Sequence, residues 1–136
     1  MTKPRFLNPA TIAPPPGNGY THVVETTGPG RTIHIAGQLG LRLDGSLAGE
    51  PGDFRAQAEQ AFANLRAALE AVGAGFEDVV KANNFLVDIA HLPILREVRN
   101  AYFNMDAPPA STTIAVAGLA REGALFEIDV VAFLPA

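Results

Sequence analysis

The chain has 136 residues, enough for one domain with a sizeable core, and no linker is long enough to divide residues 1–136. Hydrophobic residues make up 48% of it and charged residues 18%, which excludes an intrinsically disordered protein. Cysteine is absent, which excludes disulfides, thiol nucleophiles and thiolate metal sites. The net charge is −4 with scattered Lys and Arg, so we expect no nucleic acid as main partner. No window approaches 18 continuous apolar residues and no secretory signal pattern is present, so we expect a cytoplasmic protein without a membrane partner.

The N-terminal part of the chain is expected to be β-structure. Residues 5–7 could form a short edge strand, and the Pro/Gly-dense residues 10–19 an ordered loop. Residues 20–27 are rich in β-branched side chains, and the turn "GPG" separates them from a second strand at residues 31–38. This pattern predicts a β-hairpin.

Residues 53–73 carry the clearest periodic pattern in the sequence. Asp53 can cap the N-terminus of a helix, and Gly73 or Gly75 can end it. Apolar side chains recur at helical spacing and predict one buried stripe, formed by Ala58, Ala61, Phe62, Leu65, Leu69 and Val72.

The C-terminal half contains strand and helix patterns in alternation. Residues 78–89 predict a strand, and residues 91–105 a second helix that tolerates Pro93 in its first turn. Residues 111–119 and 125–134 predict two strands joined as a hairpin. The order β-β-β-α-β-α-β-β favours an α+β fold, a two-layer α/β sandwich in which both helices cover one face of a mixed sheet.

Alternation along the last strand indicates which side chains face the helices. Phe126, Ile128, Val130 and Ala132 form an all-apolar set and are expected under the helices, with Ile114 and Val116 of the preceding strand beside them. On this assignment, the opposite face combines Ser111, Thr113, Glu127, Asp129, Val131 and Phe133. Nothing else in the chain remains to cover that face, so we expect self-association, with small-molecule pockets at the subunit interfaces.

Four segments resemble the Rid family, also called YjgF/YER057c/UK114, whose members deaminate reactive enamines and imines. They are "PPPGNGY" (14–20), "AGQ" (36–38), "EDVVKANNFLVDI" (77–89) and "PPASTTIAVAGLAREGALFEIDVVA" (108–132). The resemblance covers nearly the whole chain. It implies a chorismate-mutase-like fold and a homotrimer whose sheets close into a central barrel, with clefts between the subunits.

The resemblance also implies a set of site residues. The strand glutamate that positions water in the family's deaminases falls on Asp129, and the arginine that binds the substrate carboxylate falls on Ser111. The helix asparagine near the family's cleft falls on Arg96. Substrate-binding positions are implied for Tyr20, Gly37, Gln38, Arg96, Ser111 and Thr113.

Ser111 is the principal departure from the family pattern. A serine donates one neutral hydrogen bond and cannot offset a negative charge, and losing a charge-assisted pair away from water costs roughly 2–5 kcal/mol. Asp129 is one methylene shorter than glutamate. We therefore expect weak deamination of the family's carboxylated imines. Arg96 is the candidate replacement cation, although the more common role for such a residue is an exposed helix arginine that pairs with Glu97 or Asp88.

Three functions follow from these residues. The first is a hydrolase of altered specificity that acts on a small imine, enamine or related carbonyl compound, with Asp129 placing water. The second is a trimer that binds a small ligand without turning it over. The third and weakest is an endoribonuclease, an activity associated with some relatives. We expect no cofactor, and we expect no metal because His22, His34 and His91 form no spaced pair.

Overall fold

The main sheet of the protein has four strands, and two helices pack on one of its faces. The computed structural model describes residues 2–136. The strands are β1 (Arg5–Leu7), β2 (Val23–Glu25), β3 (Gly30–Leu39), β4 (Val79–Leu86), β5 (Ala110–Ala115) and β6 (Phe126–Pro135); the helices are α1 (Phe54–Glu70) and α2 (Leu92–Asn100). Neither helix is long and apolar enough to span a membrane.

The strand order in the main sheet is β3-β6-β4-β5. Strand β6 runs antiparallel to both β3 and β4, whereas β4 and β5 are parallel. Strands β1 and β2 form a separate antiparallel ribbon. The mixed sheet and the α+β class are therefore as predicted.

Both predicted hairpins are wrong. Strand β2 pairs with β1 instead of β3, and β4 lies between β5 and β6. Helix α2 carries the chain from β4 to β5, and such a crossover favours a parallel pair. The ten residues 116–125 then let the chain pass β4 and reach its other edge, so proximity in sequence did not decide the pairing.

Helix α1 follows its predicted pattern closely. The Asp53 carboxylate caps it by accepting a hydrogen bond from the Ala56 amide at 3.0 Å. The predicted stripe is buried from Ala58 to Leu69. Val72 is the exception, because the helix ends at Glu70 and the side chain of Val72 is 38% exposed. Gly73 follows with φ +78°, a conformation that glycine adopts without strain.

The alternation of β6 was predicted correctly. Phe126, Ile128, Val130 and Ala132 are all buried, in one core with Leu95 and Val98 of α2. Phe133, expected on the uncovered face, is also buried. Its ring lies against Gly30, where a side chain would overlap it.

The predicted orientation of β5 is wrong. Ile114, expected in the core, is 44% exposed. Ser111 and Thr113 pair in register with Ala82 and Asn84, two buried residues on the helix side of β4. The hydroxyls therefore lie on the helix face, and they do not share a face with Asp129. Strand β5 is an edge strand whose helix side is occupied by polar groups, so hydrophobicity was a misleading guide to its faces.

We expect Leu65→Ala to lower the free energy of unfolding by about 2–5 kcal/mol, because it opens a cavity beneath α1 in the core. Chemical denaturation would measure the loss. Leu43→Ala is the matched control, since the Leu43 side chain is fully exposed and its truncation should change the free energy by about 0.5 kcal/mol or less. Equal losses in the two variants would contradict this description of the core.

Candidate functional site

A cleft of about 340 Å³ lies where α2 meets the edge strand β5 and the Pro-rich loop, and we call it the edge cleft. Helix α2 precedes β5 in the chain, and side chains from both elements line the cleft. The lining residues are Pro16, Gly19, Tyr20, Leu92, Arg96, Arg99, Ser111, Thr112 and Thr113. Four of the predicted site residues, Tyr20, Arg96, Ser111 and Thr113, are thus brought together here.

The β5 wall of the edge cleft is organised by Asn84, which is only 3% exposed. Its Nδ2 donates to Ser111 Oγ at 3.0 Å and to Thr113 Oγ1 and the Thr112 carbonyl at 3.3 Å. A hydroxyl has one donor and two acceptor sites. Because Asn84 donates to both hydroxyls, the O–H groups of Ser111 and Thr113 remain free to donate to a ligand.

The loop wall is tied directly to the start of β5. Thr21 is buried, its hydroxyl donates to the Pro108 carbonyl, and its amide donates to the Pro109 carbonyl at 3.1 Å. These bonds hold the neighbouring Tyr20 at the mouth of the cleft. The Tyr20 ring also makes an edge-to-face contact with His22, at a centroid distance of 5.4 Å.

The helix wall carries two cationic side chains, Arg96 and Arg99, three residues apart on α2. Arg96 is exposed, whereas Arg99 is half-buried. Burial, together with the nearby charge of Arg96, lowers the pKa of the Arg99 guanidinium from its ordinary value. The expected alternative for Arg96, a pair with Glu97, does not form, because Glu97 binds Arg55 at 2.6 Å.

The remaining predicted residues lie outside the edge cleft. Asp129 Oδ1 accepts a hydrogen bond from Asn83 Nδ2 at 2.8 Å, on the face of the sheet that the helices do not cover. Gly37 lies against the Glu127 carboxylate, which a side chain at position 37 would overlap. Gln38 follows the irregularity in β3 and donates to the Ala36 carbonyl at 3.0 Å. The predicted site is therefore divided between two faces within one chain.

Sequence reasoning missed two contributors to the edge cleft. Asn84 is a polar residue at a buried position of an alternating strand, and that placement was its only signal. Arg99 is the second, and its signal is the spacing of Leu92, Arg96 and Arg99, which is the i, i+4, i+7 spacing of one helix stripe. Within residues 2–136, no three His, Cys, Asp or Glu side chains lie close enough together to hold a metal ion.

Comparisons with known proteins agree with one another. A family model described as endoribonuclease L-PSP matches residues 11–134. The 2-iminobutanoate/2-iminopropanoate deaminase of Dermatophagoides farinae is 32% identical over 118 residues, which cover 87% of this chain and 88% of that protein. The protein of the same name from Mus musculus is 36% identical over 125 residues, or 91% and 84% of the two chains. The Rid family protein YyfB from Yersinia pestis, of unknown function, superposes with a TM-score of 0.87 at 35% identity and covers 98% of this chain and 100% of that one.

We expect Asn84→Ala to lower the free energy of unfolding by about 1–3 kcal/mol, because it removes the buried donor shared by two hydroxyls and a carbonyl. Chemical denaturation would measure this loss. Asn104→Ala removes an exposed amide and should cost about 1 kcal/mol or less. An Asn84→Ala protein as stable as the Asn104→Ala protein would refute the organising role of Asn84.

Proposed function

The chain belongs to the Rid (YjgF/YER057c/UK114) family, and from this premise we propose that it is an imine or enamine deaminase-like hydrolase of altered specificity. Its substrate would be a small carbonyl or imine-type metabolite, held in clefts between the subunits of a cytoplasmic homotrimer. The relatives named 2-iminobutanoate/2-iminopropanoate deaminase support this class of reaction.

The observation that carries the proposal is the composition of the edge cleft. Hydroxyl donors from β5, the ring of Tyr20 and the guanidinium of Arg96 surround one small volume. Such a wall of donors can orient a small oxygen-rich substrate and stabilise negative charge that develops on it. The reaction itself needs only water as co-reactant, so no cofactor is invoked.

The proposed chemistry is the hydrolysis of a carbon–nitrogen double bond. Water adds to the carbon of the protonated imine, and the Asp129 carboxylate accepts a proton from the water as the C–O bond forms. The resulting neutral carbinolamine transfers its hydroxyl proton to nitrogen and expels ammonia, which leaves a ketone or aldehyde; the ammonia takes up the proton from Asp129 and departs as ammonium. An enamine first takes up a proton at carbon to become the protonated imine. General-base assistance of this kind contributes about 10²–10⁴-fold to a rate.

The division of the site between two faces supports the trimer. The side chains of Asp129 and Ser111 leave opposite faces of the sheet, so one chain does not present both to one substrate. A second copy on the uncovered face would bring its Asp129 to the edge cleft of its neighbour. That face also carries apolar groups, among them Phe85, Ile114 and Val131, which association would remove from water.

The altered specificity follows from Ser111 and Arg96. A neutral hydroxyl stands on β5 where the family's deaminases carry the carboxylate-binding arginine, while the cation of this cleft is supplied by α2. A substrate anion would therefore be held by the helix wall, through Arg96, and not by the β5 wall. Substrates whose carboxylate is attached directly to the imine carbon should be processed slowly, because their anion would be held away from the β5 wall.

One observation favours the alternative of a trimer that binds without catalysis. The Asp129 carboxylate already accepts a hydrogen bond from Asn83, which reduces its capacity to bind and orient water. Ribonuclease activity is the weakest candidate. The description of the matching family model favours it, but the net charge of −4 does not suit a polyanionic substrate.

An ammonia-release assay with imines generated in situ by a dehydratase tests the proposed reaction. We expect the wild type to be slow beside an arginine-bearing relative, Ser111→Arg to gain about tenfold or more, and Asp129→Asn to lose about 100-fold or more. Glu122→Gln removes an exposed loop carboxylate and is the control, with unchanged activity. An Asp129→Asn protein as active as the wild type would refute Asp129 as the base, whereas a wild type that binds ligand but releases ammonia no faster than the uncatalysed reaction would replace the hydrolase by the binding alternative.

Sedimentation equilibrium tests the assembly. We expect the wild type to sediment as a trimer and Val131→Asp to sediment as a monomer, because a buried, unpaired carboxylate at the interface costs several kcal/mol. Leu43→Asp places the same charge on a fully exposed loop and should remain trimeric. A wild-type monomer that is stable at micromolar concentration would rule out the assembly.

A further inference from the structure

We propose that the edge cleft selects a substrate with two negative charges, and that Arg96 and Arg99 together form its anion receptor. The class of ligand is a small dianion, a dicarboxylate or a phosphorylated acid. This inference rests on the proposed function, because it names the substrate class of the same cleft, but it makes a separate claim about binding.

In the part of the chain that the structure describes, neither Arg96 nor Arg99 forms an ion pair with a carboxylate. The ion pairs among the residues that the structure describes are Arg5–Glu25 and Arg55–Glu97. The other acid close to α2, Asp88, accepts a hydrogen bond from the Ala90 amide at 2.9 Å, where it caps the turn before the helix. The lining of the edge cleft contains no acidic side chain at all. The cleft therefore holds a net charge of about +2 that its own residues leave uncompensated.

The surroundings of the Arg99 side chain are unfavourable for its positive charge. Its guanidinium is half-buried, and the one side-chain acceptor that it contacts among residues 2–136 is the neutral amide oxygen of Asn100, at 3.2–3.3 Å. Burying part of a cation without a counter-ion is unfavourable, and a like charge three residues away on the same helix adds repulsion. Both costs are relieved when an anion binds, and the lowered pKa of Arg99 has the same physical causes. The placement of the two arginines therefore costs stability in the absence of an anion, as is common where a site is arranged for a ligand.

The loop wall of the edge cleft leaves room for the Arg99 guanidinium. A Cβ atom at Gly19 would lie 2.9 Å from Arg99 Nη2 and 3.0 Å from Nη1. The backbone of Gly19 has φ −80° and ψ −10°, which any residue adopts. A side chain at position 19 would therefore displace the Arg99 guanidinium, and glycine leaves room for it against the loop wall.

The number of positive charges in the edge cleft indicates the charge of its ligand. The groups that face a ligand from the three walls are two guanidiniums and the hydroxyls of Ser111 and Thr113, all of which can donate. Within one chain, a monoanion would compensate one arginine and leave the other without a counter-ion; in the proposed assembly the Asp129 of a neighbouring copy lies at the same cleft, but its carboxylate is committed to Asn83 and to the attacking water. A dianion compensates both, and each guanidinium can bind an oxygen pair in the bidentate manner.

The test is ligand binding by isothermal titration calorimetry, without turnover and at constant ionic strength. Succinate is the dicarboxylate probe, butyrate is the monocarboxylate of equal carbon number, and inorganic phosphate is the phosphoryl probe. We expect the wild type to bind succinate or phosphate at least tenfold more tightly than butyrate. Arg96→Gln and Arg99→Gln should each remove the preference, whereas Arg121→Gln, which removes the same charge from a loop outside the cleft, should retain it.

Two further readouts separate this role from a merely structural one. Without ligand, Arg99→Gln should raise Tm by about 2–4 °C, because it removes a half-buried, unpaired charge, whereas loss of a structural contact would lower Tm. Gly19→Ala keeps both charges but displaces the Arg99 guanidinium, so it should weaken dianion binding at least fivefold with little change in Tm.

Each outcome has a defined meaning. Equal affinities for succinate, phosphate and butyrate, or an undiminished preference in both arginine variants, would overturn the inference. Binding of phosphate without succinate would support it and assign the ligand to the phosphoryl class. A dianion preference in a protein that releases no ammonia would sustain the receptor while refuting the deaminase. Ammonia release without that preference would do the reverse.

Discussion

The position of β4 in the sheet is the constraint on which the rest of this structure depends. It pairs with β5 in parallel and with β6 antiparallel, and its alternating residues fix which face each neighbouring side chain leaves. Asn84 lies on the helix side and Asn83 on the other. Each amide donates to a proposed site residue, Asn84 to Ser111 and Asn83 to Asp129. A shift of one residue in this register would exchange the two sets.

Division of the candidate site by the sheet has a direct chemical consequence. The edge cleft supplies donors and positive charge, whereas the proposed base, Asp129, is on the opposite face. Asp129 therefore keeps its hydrogen bond with Asn83, and it does not neutralise Arg96 or Arg99 within the chain. In the proposed oligomer, a neighbouring copy would supply the Asp129 that the edge cleft lacks within one chain.

The charge balance of the cleft is the second organising feature. Nearby acids are committed elsewhere, Glu97 to Arg55 and Asp88 to the Ala90 amide, and this leaves α2 with two arginines on one stripe. The β5 wall is neutral at Ser111, so the positive charge of the cleft comes from α2. Under the proposed correspondence of Ser111 with the arginine of the family's deaminases, the cation has moved from a strand to a helix, which would change where an anionic group is held in an unchanged fold.

Residue patterns alone determined a large part of this protein. The helix after Asp53, the buried set on β6 and the resemblance to the Rid family were all evident from the sequence, because each depends on local periodicity or on ordered motifs. The strand pairing was not, because a loop of ten residues allows β6 to pair with either neighbour at similar cost in loop entropy. The orientation of β5 followed from that pairing, and so did the placement of Ser111 beside Arg96 and Arg99. Only the tertiary structure decided these points, because the pairing of β6 with β3 along one edge and with β4 along the other is a property of the whole sheet. No single segment of the sequence specifies it.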